Sequence, residues 1–304
     1  MTAAATSASS AADRAARTRR PGSAYRRKAT LSRVLFHIGM IVLVVVVLYP
    51  GVWLLGASIK PSNDIVGNVS VLTSEPTFDN FVTALSGIAG IPSLVFFWNS
   101  LVLAVGSVVG IVLSSTVTAY AFARIRFAGR GVWFNLMIGT LLLPFQVVII
   151  PQYILFQKMG VIDTFIPLLL GKFLATEAFF VFLLVQFMRN IPRELDEAAR
   201  IDGAGHFRTF WSVMLPLTRP AIVSASIFAF IWSWNDFLGP LLYLSSPSNY
   251  TVSLALRTFV DQTAYSDFGA MMAMSVLAIL PVLVFFTVFQ RYIVEGVATQ
   301  GLKG

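Results

Sequence analysis

Glu197-Ala198-Ala199-Arg200-Ile201-Asp202-Gly203, then nine residues, then Val213-Met214-Leu215-Pro216, form a polar island between two long apolar runs. Local chemistry predicts its shape. Pro192 suits a first helical turn, where its missing N–H has no partner to lose. Glu194, Asp196 and Glu197 then lie at the positive end of that helix's dipole. Ala198 and Ala199 favour helix and carry little bulk, so another surface can approach closely. Gly203 and Gly205 permit the positive φ that ends a helix sharply. His206–Leu215 is expected to form a second short helix, stopped by Pro216. The reading is a short helix, a glycine turn and another helix, lying outside the flanking apolar runs.

Those runs fix the class. Of 304 residues, 57% are apolar and 12% charged, and the mean hydropathy is +0.78. A hydrocarbon core of about 30 Å needs about 20 helical residues. Six stretches reach that length: Val34–Gly56, Phe96–Ala123, Gly131–Ile150, Phe165–Met188, Pro220–Leu244 and Gly269–Tyr292. Backbone polar groups in lipid must bond within their own segment, so these stretches are expected to be helices. The weak ten-residue alternation of a membrane β-barrel is absent. The chain therefore reads as an all-α membrane protein with six transmembrane helices over 34–304, preceded by a basic tail over 1–33 expected to be disordered. A cleavable signal peptide fits less well, because the run from Val34 is too long and five more follow.

Cations orient the chain. With the N-terminus in the cytoplasm, 18 of the 22 Lys and Arg fall in cytoplasmic segments. The net charge of +8 then reports topology, since no nucleic-acid reader motif accompanies it. The same orientation puts Glu197–Pro216 and both termini on the cytoplasmic side. Arg26-Arg27-Lys28 can sit against anionic headgroups. Cysteine is absent, which excludes disulfides and thiolate metal sites. His37 and His206 are far apart with no neighbouring ligand set, so no metal site is expected.

The island, at about 189–219, resembles the EAA loop of ABC importer permeases, E-A-A-x3-G-x9-I-x-L-P, with Val213 in place of Ile. Other stretches extend the likeness: Thr77-Phe78-Asp79-Asn80-Phe81, Asn99-Ser100, Ala119–Arg124, Leu143-Pro144-Phe145-Gln146, Ile191–Leu195, Trp234-Asn235-Asp236-Phe237 and Thr299–Gly304. Together they resemble the MalG-like inner-membrane subunit of carbohydrate importers, from about Arg33 to the C-terminus. The resemblance implies a type I ABC importer permease fold and a multi-pass place in a prokaryotic cytoplasmic membrane. It implies a complex with a second homologous permease, a pair of ATP-binding cassette ATPases and an extracytoplasmic solute-binding protein. It marks Glu197, Ala198, Ala199, Asp202, Gly203, Leu215 and Pro216 as the ATPase-coupling loop.

The chain carries no G-x-x-x-x-G-K-[ST] phosphate loop. It is expected to hold no cofactor and to perform no catalysis, with ATP and Mg bound by the partner ATPase. Polar residues inside spans are costly and point to a solute path. Trp232, Trp234, Asn235 and Asp236 combine aromatic faces with hydroxyl-bonding groups, and Gln146 and Glu177 join them. Asn99 and Gln186 are of the same kind. The same residues serve equally well as helix–helix glue or as a gate constraint. Lys172 and Glu177, five apart, are poorly placed for one helix face, and Lys172 can instead reach the outer interface. Pro144, Pro151, Pro240 and Pro281 are candidate kinks. The outer segment after the first span predicts a helix capped by Thr77 or Asp79, with Phe78, Phe81, Val82 and Leu85 on one side. A maltose- or trehalose-type sugar is the first expectation. Glycerol 3-phosphate or another ABC-imported solute is the rival cargo, and an ion-driven secondary transporter the rival class.

Overall fold

The computed structural model describes residues 23–260 and 267–301, and the secondary structure there is helical. The last residues of the C-terminal motif, 302–304, and residues 1–22 of the basic tail lie outside them. Residues 1–53 and 54–304 form two compact units. The helix that starts in the first, α1 (Ser23–Ala57), begins upstream of the expected span, so 23–33 is helix. Its side chains from Val34 to Tyr49 are exposed.

The second unit holds α2 (Asp79–Ser86), α3 (Ser93–Arg124), α4 (Arg130–Thr140), α5 (Phe145–Lys158), α6 (Ile166–Phe173), α7 (Ala178–Arg189) and α8 (Glu194–Ile201). Then come α9 (His206–Trp234), α10 (Leu238–Tyr243), α11 (Val252–Thr258) and α12 (Phe268–Gly301). Among the described residues, five helical runs are long and apolar enough to cross a membrane. The third expected span, Gly131–Ile150, is split into α4 and α5. Pro144 caps α5 at φ −60°, ψ 132°. It has no N–H to continue α4, and it pushes Leu143 away from helical angles. The chain between them turns by i→i+3 bonds, from Leu141 N–H to Ile138 O and from Leu143 N–H to Thr140 O.

Two further breaks carry no proline. Ala175 at φ +56° separates α6 from α7. Asn235–Phe237 separates α9 from α10, where the expected fifth span ran on to Leu244. The span also begins earlier than expected. Pro216 does not stop the second loop helix but lies in the first turn of its long α-helical stretch, Leu215–Trp234. Just before it, Phe210–Met214 is a π-turn. The wider i→i+5 pairing loosens the turn that a proline ring would otherwise crowd.

The central element is α3, which packs against α6, α7 and α9. Lipid tails are as apolar as leucine, so helices in a bilayer associate through close packing and interhelical hydrogen bonds. The sequence of α3 is suited to that. A Cβ on Gly110 would come within 2.8 Å of the Phe173 ring, and one on Gly106 within 3.0 Å of Leu169. Ser114 Oγ donates to Lys172 O at 2.7 Å. One apolar cluster joins Ala119, Tyr120, Val181, Leu184, Met188 and Phe210 at one end of the bundle. Another joins Phe96, Ala104, Phe230, Trp234 and Met274 at the other.

Helix α2 packs inward through Asn80 and Ala84, with Phe81 partly buried against the core. Asn80 and Ala84 are buried, while Phe78, Val82 and Leu85 are exposed. Thr77 rather than Asp79 receives the start of the helix, its Oγ1 accepting from Asp79 N–H at 3.2 Å.

Candidate functional site

The polar island folds as a capped lever. In α8, Ala204 N–H donates to Ala199 O at 2.9 Å and Gly203 N–H to Arg200 O at 3.0 Å. This double closure around a left-handed residue is the Schellman ending, and Gly203 supplies the required φ of +79°. Ala199, the second alanine of the motif, is thus an acceptor of the cap. Gly205 was expected to share the positive φ, but it is extended at φ −75°, ψ 172°. There it starts α9, its carbonyl accepting from Thr209 N–H at 2.9 Å.

The lever is clamped to the bundle through residues that the sequence places in motifs without showing their contacts. Arg124, 8% exposed at the end of α3, pairs with Asp196 of α8 at 3.0 Å. Its other amino group donates to Met188 O and, at 2.6 Å, to Ile191 O, closing the carbonyl end of α7. Tyr120 Oη donates to His206 O at 3.1 Å, and its ring lies 5.0 Å from that of Phe210. One turn of α3 therefore holds the end of α7, the first turn of α8 and the start of α9. Of the residues marked in the motif, Glu197, Ala198, Asp202 and Gly203 are exposed, while Leu215 and Pro216 are half-buried along α9. Ile201 is 87% exposed, Phe207 80% and Trp211 61%. Three large apolar side chains are thus exposed on an otherwise polar loop. Their signal in the sequence is their place inside an otherwise polar island.

The second feature is a cavity of about 290 Å³ between α3, α6, α7 and α9, lined by Ser107, Lys172, Glu177, Trp232, Ser233 and Asp236 among others. Lys172 Nζ donates to Glu177 Oε1. The five-residue spacing works because the chain breaks between them at Ala175, so the pair is not bound to one helix face. Ser107 Oγ and Ser233 Oγ lie 3.0 Å apart. Asp236 Oδ1 accepts from Gly239 N–H at 3.1 Å. A side chain at 239 would collide with that carboxylate at 2.6 Å. Trp232 packs against Phe179 and Phe180, with ring centroids at 4.9 and 5.2 Å.

Not every expected solute-path residue joins this cavity. Trp234 is buried in the other core, stacked on Phe230 and donating from Nε1 to Ala278 O at 3.1 Å. Asn235 turns back to Ile231 O at 2.8 Å. Gln146 is exposed at the start of α5. The structure adds Ser107, Ser233 and Lys172, which come from three helices and had no shared local pattern.

A family profile described as the binding-protein-dependent transport system inner membrane component matches residues 15–299. The chain belongs to that family. The permease is 32% identical over 283 residues to the arabinooligosaccharides transport system permease protein AraQ of Halalkalibacterium halodurans, covering 92% of this chain and 99% of that one. It is 32% identical to the diacetylchitobiose uptake system permease protein NgcG of Streptomyces coelicolor, over 93% and 91% of the two chains. It is 33% identical to the sn-glycerol-3-phosphate transport system permease protein UgpE of Agrobacterium fabrum, over 88% and 96%. Its fold matches a chain in the crystal structure of a bacterial ABC transporter that imports the acidic polysaccharide alginate. The TM-score there is 0.75 at 22% identity, over 90% of this chain and 99% of that one. It is a carbohydrate ABC importer permease with the type I permease fold.

Other motifs of the permease prove to be anchors away from the cavity. Asn80 donates to Ser58 O and Lys60 O at 2.9 and 2.7 Å. Asn99 donates to Ser248 O and Tyr250 O at 2.8 and 3.0 Å, and Ser100 Oγ receives Val252 N–H at 2.9 Å. Asn99 therefore ties α3 to the start of α11. Asp163, at φ +61°, joins two loops by accepting from Ser245 and Ser246 N–H at 2.9 and 3.0 Å and from Ser246 Oγ. Slight burial would raise its carboxyl, but the hydrogen bonds from Ser246, Ser245 and Asn249 prevail and lower it to about 2.

Proposed function

We propose that this permease forms half of the passage of an ATP-driven importer of neutral di- or oligosaccharides, with residues 189–219 as its contact to the ATPase. The observation that carries the coupling role is the Schellman-capped α8, clamped by Arg124 to the ends of α3 and α7. A loop held this way transmits displacement as a rigid body. Its exposed Ile201, Phe207 and Trp211 give a partner apolar contact area, and Glu197 and Asp202 add charge. Closure of two ATPase subunits on ATP and Mg would move the lever and, through α3, α7 and α9, open the cavity to the side where a loaded solute-binding protein docks. A second homologous permease supplies the other half. The distribution of cations supports placing the termini and the lever in the cytoplasm.

The cavity supports the choice among solutes. Its lining holds one cation, Lys172, already paired with Glu177, and a further carboxylate, Asp236. A phosphate would face that carboxylate with no free cation to receive it. A sugar can use carboxylate and serine hydroxyls for its own hydroxyls and Trp232 for its C–H face. This favours a neutral carbohydrate over glycerol 3-phosphate, although relatives serving either kind are similarly close. Uptake by cells carrying the whole importer tests it. Glu197→Lys and Gly203→Pro should stop uptake while the chain still inserts; normal uptake in both would remove the coupling role. Preferential uptake of glycerol 3-phosphate would overturn the choice of solute.

A further inference from the structure

Beside the lever lies a cavity of about 380 Å³ lined by Arg126, Phe127, Arg130 and Arg193, three guanidiniums and no carboxylate. Neither of the ion pairs among the described residues involves them; those are Arg124–Asp196 and Lys172–Glu177. Arg130 donates to Ile125 O at 3.3 Å, within its own turn. Arg126 and Arg193 also border the neighbouring cavity, where Arg124, Arg200 and His206 sit with two carboxylates, Glu197 and the Arg124-paired Asp196. Three like charges directed at one space repel one another unless an anion joins them, and a phosphoryl group matches the forked guanidinium geometry.

The surroundings say which phosphoryl compound fits. Helix α4 starts at Arg130 and leads away from the cavity with an exposed apolar face: Val132 at 63%, Trp133 at 61% and Leu136 at 58%. Arg189 is held over the Phe134 ring of the same helix at 4.8 Å. Arginines beside an aromatic-flanked apolar face match a headgroup layer above acyl chains. A free phosphate would satisfy the arginines and leave the apolar face uncovered.

We infer that the headgroup phosphate of an anionic membrane lipid binds between the α3–α4 turn and Arg193, tying the entry of the lever to the bilayer surface. Arg193 is well placed for that effect, because its carbonyl accepts the first N–H bonds of α8, from Asp196 at 2.9 Å and Glu197 at 3.1 Å. The inference rests on α4 lying in the membrane and not on the lever's coupling role, so either can fail alone.

The test is native mass spectrometry of the whole importer released from nanodiscs of phosphatidylcholine and phosphatidylglycerol, roughly 4:1. The Arg126→Gln/Arg193→Gln chain should retain about tenfold less phosphatidylglycerol than wild type, the loss expected from removing two charge-assisted bonds. Arg126→Lys/Arg193→Lys should stay within about threefold, since lysine still binds phosphate as a point charge. Lys158→Gln, at the far end of α5, should change nothing. Equal retention by the glutamine variant and wild type would overturn the proposal. So would displacement of the lipid by millimolar inorganic phosphate, which would make this a small-anion site. Loss of the ATPase from the glutamine complex with lipid retained would assign the arginines to that partner instead. The lysine variant keeps the test decisive if the glutamine variant does not fold.

Discussion

Gly203 shows how much a single residue carries. Its φ of +79° lies where a side chain is strained, although a Cβ there would meet no atom within 4 Å. Gly203→Ala should therefore cost only about 1 kcal/mol of local stability and leave uptake measurable. Gly203→Pro fixes φ near −65° and removes the N–H bonded to Arg200 O, so the cap should be lost altogether. Arg124 is the opposite kind of residue, since its value lies in its partners. Arg124→Met leaves the Asp196 carboxylate enclosed without its cation and should lower stability by about 3 kcal/mol. Thermal unfolding in detergent reads this, and an added Asp196→Leu should restore part of the loss. Asp163 gives a pH test. Its carboxyl is held below the unfolded value, so its contribution is complete above about pH 4 and fades as pH falls toward about 2. Hydrogen-exchange protection at Ser245 and Ser246, taken relative to the intrinsic rate at each pH, should fall across that window in wild type. In Asp163→Asn protection should already be low at neutral pH, with no further change.

The helices were legible in outline and their breaks less so. Apolar length announces α1, α3, α9 and α12 directly. Pro144 announces a disturbance, but whether a proline kinks or splits a helix depends on what can satisfy the freed backbone groups. The break at Ala175, at φ +56°, carries neither proline nor glycine at that position, although Thr176 closes it locally by donating from N–H and Oγ1 to Gly171 O. It decides the site, because it lets Lys172 meet Glu177. The Arg124–Asp196 pair spans 72 positions of sequence, so no local pattern exposes it. Pro216 misled because a proline normally ends a helix, whereas here a π-turn precedes it. That turn gives an element-level prediction. Deleting Ser212 should restore α pairing and rotate one part of α9 against the other by about 100°. The chain should still insert, and uptake should fall to background; unchanged uptake would show that the register between lever and cavity does not matter.

At the scale of the whole permease, the two candidate sites share their scaffold. Helices α3, α7 and α9 line the cavity, and their ends hold the lever. Displacement at Glu197–Gly203 therefore has a packed route to Glu177, Trp232 and Asp236, with small residues letting α3 approach its neighbours closely. The family motif made the lever legible in the sequence, because its chemistry is contiguous. The cavity was only half legible, because its residues come from separate helices and two tryptophans two positions apart point to different environments. Asp236→Asn should keep neutral sugars moving with altered affinity and relax the barrier to anions. Transport assays with paired neutral and phosphorylated solutes would reveal that change.

The most direct test is ATP hydrolysis by the permease assembled with its partner permease and ATPase in nanodiscs, with solute-binding protein loaded from a panel of disaccharides, oligosaccharides and glycerol 3-phosphate. Hydrolysis should rise with one neutral sugar in wild type and stay at its unstimulated level in Gly203→Pro. Equal stimulation of both, or transport that follows an ion gradient with no ATPase required, would contradict a permease driven through this lever.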